Sequence, residues 1–182
     1  MFGNLFGKKE DDAVDHVFKD RAYMSCRAKM KAIATLAKND EVFIFIAWFD
    51  DTAKQFRSYF AENGIGEDRI VEAQQFHTHQ LTKQKPVFVE HYPLHSKEKT
   101  FVSGWDQKNI LVYSAMDEPL FKHFGSEKII PMMKLMGMKE EEVIEHNMVS
   151  KSIIKGQQKI EEQVTLEQNA SSQAAWMERN LK

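Results

Sequence analysis

Four histidines in the middle of the chain have a spacing that could bind a metal ion. His77 and His79 would lie on one side of an extended segment, and His91 and His95 follow close behind. Zinc and nickel both accept imidazole nitrogens as ligands. Catalytic metal sites, however, commonly add a carboxylate and further groups that orient the ligands. We therefore favour an accidental cluster and predict no metal and no cofactor; a metal-dependent enzyme stays open as the alternative.

The beginning of the chain contains a near match to a phosphate-binding loop. In Gly3-Asn4-Leu5-Phe6-Gly7-Lys8-Lys9, only three residues separate the glycines, and Lys9 replaces the hydroxyl that would bind magnesium. We expect no phosphate binding here. The apolar residues followed by lysines also suggest a weak interfacial anchor, but we favour a frayed start and predict a flexible N-terminus over residues 1–14.

Two smaller constellations resemble catalytic pairs. Cys26 could act as a nucleophile with a distant histidine, but no glycine turn exposes its sulfur, so we predict a half-buried structural thiol. Glu145 and His146 are adjacent, and adjacent residues of a helix point about 100° apart. We therefore predict a surface or capping role for this pair.

Composition and charge exclude several classes of function. The chain has 182 residues, of which 42% are hydrophobic, and we expect one globular domain. Its 25 basic and 27 acidic residues give a net charge of -2, and only five of the basic residues are arginine, so we expect no nucleic-acid partner. No apolar run approaches the roughly 18 residues of a membrane span. We predict a cytoplasmic protein without stable membrane insertion.

The first half of the chain has the pattern of a strand followed by a helix. Mixed three- and four-residue spacings predict an amphipathic helix over residues 15–38. Residues 42–49 form a continuous apolar run, which is typical of a strand buried on both faces. Asp50 and Asp51 can then begin a helix, and Asn63-Gly64 can end it. This order is half of a βαβ unit.

The second half predicts further strands and then helices only. A short strand or helix is expected over residues 69–76, a loop over 77–85, and strands over 86–92 and 109–113, with a possible strand at 99–102. Helices are expected over residues 117–125, 127–136, 139–145 and 147–164, followed by a polar end in which Trp176 is the one anchor.

One segment of the second half carries a family resemblance. The runs that carry it are Ala115-Met116-Asp117-Glu118-Pro119-Leu120, Met132-Met133-Lys134-Leu135-Met136-Gly137-Met138-Lys139, Ile144-Glu145-His146 and Gln157-Gln158-Lys159-Ile160-Glu161. Residues 115–161 resemble, in one continuous frame, the end of the second RecA-like domain of SecA, the ATP-driven motor of bacterial protein secretion, where it enters the helical scaffold. Upstream, residues 43–64 and 73–77 resemble that domain only in architecture.

The resemblance does not extend to the phosphate chemistry of the family. In SecA, a Met-Ala-Gly-Arg-Gly-Thr-Asp motif and a Gly-Arg-Ser-Gly-Arg-Gln-Gly motif precede the matching segment. In this chain, residues 87–112 contain no arginine, whereas ATP hydrolysis usually needs one to neutralise the transition state. The resemblance therefore implies a degenerate domain without enzyme activity. Half of a composite ATPase that acts in trans stays open as a second alternative.

These observations predict an α/β protein with a RecA-like (helicase C-terminal-like), mostly parallel sheet and flanking helices. We place the core at residues 15–125 and a helical C-terminal extension at 126–182. The expected function is a non-catalytic SecA-like interaction or regulatory domain whose partner is another protein, with a secretion component as the candidate. The side chains expected in core or partner contacts are Phe121, Met132, Met136, Ile144, Val149, Ile153 and Trp176.

Overall fold

The computed structural model of the protein describes residues 17–181; the predicted features of residues 1–14 lie outside this range. The strands are β1 Phe18–Tyr23, β2 Phe43–Ala47, β3 Ile70–Glu72, β4 Lys85–Phe88 and β5 Ile110–Ala115. The helices are α1 Cys26–Asn39, α2 Asp50–Glu62, α3 His95–Phe101, α4 Pro119–His123, α5 Ser126–Leu135, α6 Asn147–Glu161 and α7 Gln173–Asn180. The strands form one all-parallel sheet in the order β1-β5-β4-β2-β3. This confirms the predicted fold class and is consistent with a RecA-like α/β fold.

The apolar run of β2 places this strand inside the sheet, between β4 and β3. Alternate residues of the strand point to opposite faces, so Phe45 belongs to one hydrophobic core and Ile44 to the other. The predicted helix follows directly as α2, with Asp50 and Asp51 in its first turn. Gly64 has a φ of 68° just after the helix, which is the backbone conformation that glycine adopts most easily.

Helices cover both faces of the sheet. On one face, α1 and α2 pack through side chains such as Ile33, Phe56 and Phe60. On the other face, residues of the C-terminal helices, among them Ile160 and Trp176, pack against Phe88 and its neighbours. The C-terminal helices therefore share a core with the sheet, while the proposed boundary between residues 125 and 126 stays a prediction.

The expectation of a helix from residue 15 was wrong in its first part. Residues 18–23 form the edge strand β1, and α1 begins only at Cys26, where the Ser25 hydroxyl accepts a hydrogen bond from the amide of Ala28. The inward-facing residues of β1 include Asp20 and Ala22, neither of which favours strands. A buried aspartate in a strand hides the alternating pattern that would have identified it.

Three other expectations need correction. The possible strand at residues 99–102 belongs to α3 and the turn that follows it, and residues 78–82 of the expected loop form a 3₁₀ helix. Residues 139–145 do not form a helix, because Gly137, with a φ of 87°, turns the chain after α5. The backbone of Ile144 instead exchanges hydrogen bonds of 3.1 and 2.8 Å with that of Ala22 at the edge of the sheet.

The polar end of the chain forms α7 around its predicted anchor. Trp176 is completely buried, its ring packs edge-on against Tyr92 at 5.9 Å, and its indole nitrogen donates to Glu167 at 2.9 Å. Among residues 17–181, no helix has the length and apolar character needed to cross a membrane.

Replacing Trp176 with alanine should lower the free energy of unfolding by about 3–5 kcal/mol, because the change leaves a large cavity in a closed core. Urea denaturation followed by circular dichroism measures the change. Glu178→Ala, on an exposed part of the same helix, is the matched control and should change stability by less than about 0.5 kcal/mol. A loss below about 1 kcal/mol in Trp176→Ala would show that α7 is not part of the core.

Candidate functional site

Ligands of parallel α/β sheets usually bind beyond the carboxyl ends of the strands, and in this protein a buried charge network lies at that edge beside a cavity lined by Trp48, Phe49 and Tyr92. The ammonium group of Lys29 donates to the carboxylate of Glu118 and, at 2.6 Å, to the carbonyl oxygen of Val89. Burial alone would lower the pKa of Lys29, but the negative charge of Glu118 holds it above its ordinary value. Lys29 is therefore fully engaged by the protein.

A second buried carboxylate, Glu90, lies beside this pair. It accepts hydrogen bonds from the amides of Trp48 and Phe49 at 3.0 and 3.1 Å and from the hydroxyl of Thr52 at 2.8 Å. Burial raises the pKa of Glu90 to about 7, against the opposing effect of Lys29. These contacts lock the turn between β2 and α2.

The N-terminus of α2, where a phosphate group would be favoured by the helix dipole, carries carboxylates and is contacted by the end of the chain. Asp50 and Asp51 occupy its first turn. Ser171 accepts a hydrogen bond from the amide of Asp51 at 2.9 Å, and its hydroxyl donates to the Asp51 carboxylate at 3.0 Å. Gln173 bridges the amide of Leu120 and the carbonyl of His91. Acidic groups and the C-terminal segment thus occupy this edge of the sheet.

A separate buried cluster surrounds His91. One ring nitrogen lies 3.0 Å from a carboxylate oxygen of Glu98, and the other lies 2.9 Å from Asp20. Only the doubly protonated ring can donate to both carboxylates. Burial opposes this charge, but Glu98 and Asp20 outweigh it and raise the pKa of His91 to about 10. The amide of Gln157 donates to Glu98 at 2.9 Å, which ties α6 to the cluster.

The four histidines do not form a metal site. His77 and His79 are exposed, with ring centroids 5.7 Å apart. His91 is buried, and both of its nitrogens are bound by carboxylates. Within residues 17–181, no three histidine, cysteine or acidic side chains are grouped so that they could hold a metal ion.

The two small constellations have the structural roles that were predicted. Cys26 is half-buried, and burial together with Glu118 raises the pKa of its thiol well above the ordinary value. Glu145 pairs with Lys19 and Arg21 at the surface. His146 caps α6, because its ring accepts a hydrogen bond from the amide of Met148.

An apolar groove, which we call the helical groove, lies between α4, α5 and α6. It encloses about 400 Å³, and all but a few of its lining atoms are apolar. Residues that line it include Phe121, Phe124, Ile129, Met133, Ile144 and Val149. Met132 on α5 and Met136 at its C-terminal end are 61% and 85% exposed next to these lining residues, and Leu135, on the opposite face of α5, is 88% exposed. Such a group of exposed apolar side chains is typical of an interaction site.

A left-handed turn at Gly125 and a close contact at Gly156 shape the helical groove. Gly125, with a φ of 81°, forms the sharp turn from α4 into α5. On α6, the ring of Phe124 lies so near Gly156 that an added Cβ would come within 2.8 Å of it. The hydrogen bonds between Ile144 and Ala22 fix the segment that leads from α5 to α6.

The structure separates the seven side chains for which the sequence left core and partner contacts open. Phe121, Ile144, Val149 and Ile153 line the helical groove, Met132 and Met136 are exposed beside it, and Trp176 lies in the core. Sequence reasoning missed the groove residues Ile129, Met133 and Met148. Ile129 and Met133 recur at helical spacing on α5, so periodicity within that helix could have identified them.

Comparison with known proteins supports a relation to SecA over one stretch of the chain. No family model matches the sequence. The protein translocase subunit SecA of Christiangramia forsetii is 48% identical over 50 residues, or 28% of this chain. SecA of Chlorobium phaeobacteroides is 41% identical over 58 residues, or 32% of the chain, and that of Acinetobacter baumannii strain ATCC 17978 is 43% identical over 49 residues, or 27%.

The chain spans only 4 to 6% of the length of these curated relatives. The identities show that the chain contains a SecA-related segment, and they confirm the predicted resemblance for that segment. The assignment to the second RecA-like domain and the loss of its phosphate motifs stay predictions.

The charge of His91 predicts a pH dependence of stability. Its folded pKa of about 10 lies above the unfolded value of about 6.5, so its contribution is complete below pH 6.5 and is lost as the pH rises through 10. Urea denaturation at pH 6.5, 8 and 10 should show the stability advantage over His91→Gln shrinking by at least about 2 kcal/mol across this range. Parallel pH curves for the two proteins would show that His91 is neutral in the fold.

Proposed function

We propose that this chain is a non-catalytic interaction or regulatory domain that acts in protein secretion, in the cytoplasm, by binding another protein through the helical groove. The observation that carries the proposal is the groove itself. Phe121, Phe124, Met133 and Val149 line it, and all four lie in residues 115–161, the segment that the sequence singled out as SecA-like. The segment that resembles SecA is therefore the part of the chain in which we place the partner surface.

The composition of the groove suits protein recognition. Its lining is mainly methionine, isoleucine and phenylalanine. Methionine is flexible and polarisable, so it adapts to the shape of a partner. The exposed side chains of Met132 and Met136 extend the apolar area beyond the groove, and their burial by a partner would be favourable in proportion to the area removed from water.

The carboxyl edge of the sheet supports a role without ATP turnover. A triphosphate at this edge would meet Asp50 and Asp51 at the N-terminus of α2. Lys29, the buried cation of this edge, is already bound to Glu118 and to the Val89 carbonyl. Electrostatic stabilisation of phosphoryl transfer needs cations directed at the phosphates, and the first turn of α2 presents carboxylates instead.

A photo-reactive amino acid at position 136 should cross-link to a component of the secretion machinery in cells that contain the protein. Met136 is exposed beside the groove, so the substitution should not disturb the fold. The control carries the same amino acid at position 58, an exposed serine of α2 on the other side of the sheet. Mass spectrometry identifies the adducts. The proposal fails if position 136 gives no adduct, or only those also formed from position 58.

Purified protein should release no phosphate from ATP and magnesium above the level of a buffer blank, with or without membranes that contain the secretion machinery. A coupled phosphate assay measures the rate, and Asp117→Asn serves as the comparison. Turnover that this substitution abolishes would assign the activity to this chain and would contradict a non-catalytic role.

A further inference from the structure

We propose that the occupant of the helical groove is an amphipathic α-helix of another protein, whose apolar stripe is bordered by acidic residues. This inference rests on the proposed function, because it specifies the partner of the same groove. It follows from the arrangement of apolar and charged side chains on α5 and α6.

The groove side of α6 changes from apolar to basic along the helix. Met148 and Ser152 line the groove. Lys155 and Lys159 follow at seven and eleven residues after Met148, and these spacings place them on the same face of a helix with 3.6 residues per turn. Both lysines are exposed, and neither forms an ion pair with any residue in the described part of the chain.

The exposed side of α5 combines apolar side chains with a lysine in the same way. Ile129, Met132 and Met136 are spaced by three and four residues, so they form one stripe that continues outward from the groove. Lys128 precedes this stripe by one residue and lies four residues before Met132. It also lacks an ion pair among residues 17–181.

Several acidic residues of the same segment are engaged elsewhere in the fold. Glu127 pairs with Lys122. Glu140 accepts a hydrogen bond from Ser25, and Glu145 pairs with Lys19 and Arg21 of the edge strand. Lys128, Lys155 and Lys159 therefore place positive charge beside the groove, although Glu162 follows at the end of α6 and the whole chain has a net charge of -2. A partner with acidic residues beside its apolar stripe complements this field.

The dimensions of the groove suit a short helix. The ten residues of α5 extend over about 15 Å at 1.5 Å per residue. A partner helix packed along this length would contribute about three turns, with apolar anchors at positions i, i+3 or i+4 and i+7. A cavity of about 400 Å³ can accept several such side chains.

Two fluorescein-labelled 18-residue peptides provide the test. Both are designed helices with the same leucine stripe; glutamates border the stripe in one peptide, and lysines border it in the other. Fluorescence anisotropy with the full chain should give a Kd about tenfold lower for the glutamate peptide. Raising the salt concentration from 50 to 500 mM should reduce the difference, because exposed charges are screened. The double variant Lys128→Glu/Lys155→Glu should reverse the preference.

Two further variants separate the contribution of the lysines beside the groove from that of the apolar stripe. Lys38→Glu, at an exposed position of α1 on the other side of the sheet, should leave the preference unchanged. Met136→Asp should raise the Kd of the glutamate peptide at least tenfold, because the substitution places a charge in the apolar stripe.

The proposal is overturned if neither peptide binds, if the lysine peptide binds as tightly as the glutamate peptide, or if charge reversal at Lys128 and Lys155 has no effect. A cross-link from position 136 to a secretion component would still support the proposed function after any of these results. That cross-link therefore tests the proposed function separately from the nature of the partner.

Discussion

The position of α6, and with it one wall of the helical groove, depends on the buried charge of His91. The imidazolium ring joins Asp20 of the edge strand to Glu98 of α3, and Glu98 in turn accepts a hydrogen bond from Gln157 of α6. Removing one member of such a cluster lowers the free energy of unfolding by about 3–5 kcal/mol, because an uncompensated charge stays buried. The same arrangement permits little sliding of α6, since a shift of one turn would break the contact with Glu98.

The elements that could be predicted from the sequence are those whose own residues determine their environment. The apolar run of β2 identifies a buried strand without reference to the rest of the chain. The strand β1 could not be recognised in this way, because the buried Asp20 is stabilised by His91, 71 residues further along the chain. Local patterns contain no information about such a partner, and the mixed spacing of residues 15–38 therefore looked like one helix.

The groove could be predicted only in part for a related reason. Methionine occurs both in cores and at adaptable surfaces, and here Met24 is 2% exposed while Met136 is 85% exposed. The sequence identified the methionine-rich segment through its resemblance to SecA but could not assign each side chain to one of the two environments. The place of Ile144 depends on backbone hydrogen bonds to Ala22, which no periodicity within residues 139–145 indicates.

The two ends of the SecA-like segment differ in how their charged residues are arranged. Near its beginning, Glu118 neutralises the buried Lys29, and Ser171 and Gln173 from the end of the chain pack over the neighbouring edge of the sheet. A ligand at the N-terminus of α2 would have to break the contacts of Ser171 with Asp51. Beyond α4, the segment instead leaves an apolar groove with lysines beside it that form no ion pair with residues 17–181. Since binding favours surfaces that need no prior rearrangement, this distribution supports the proposed recognition at the helices rather than at the N-terminus of α2.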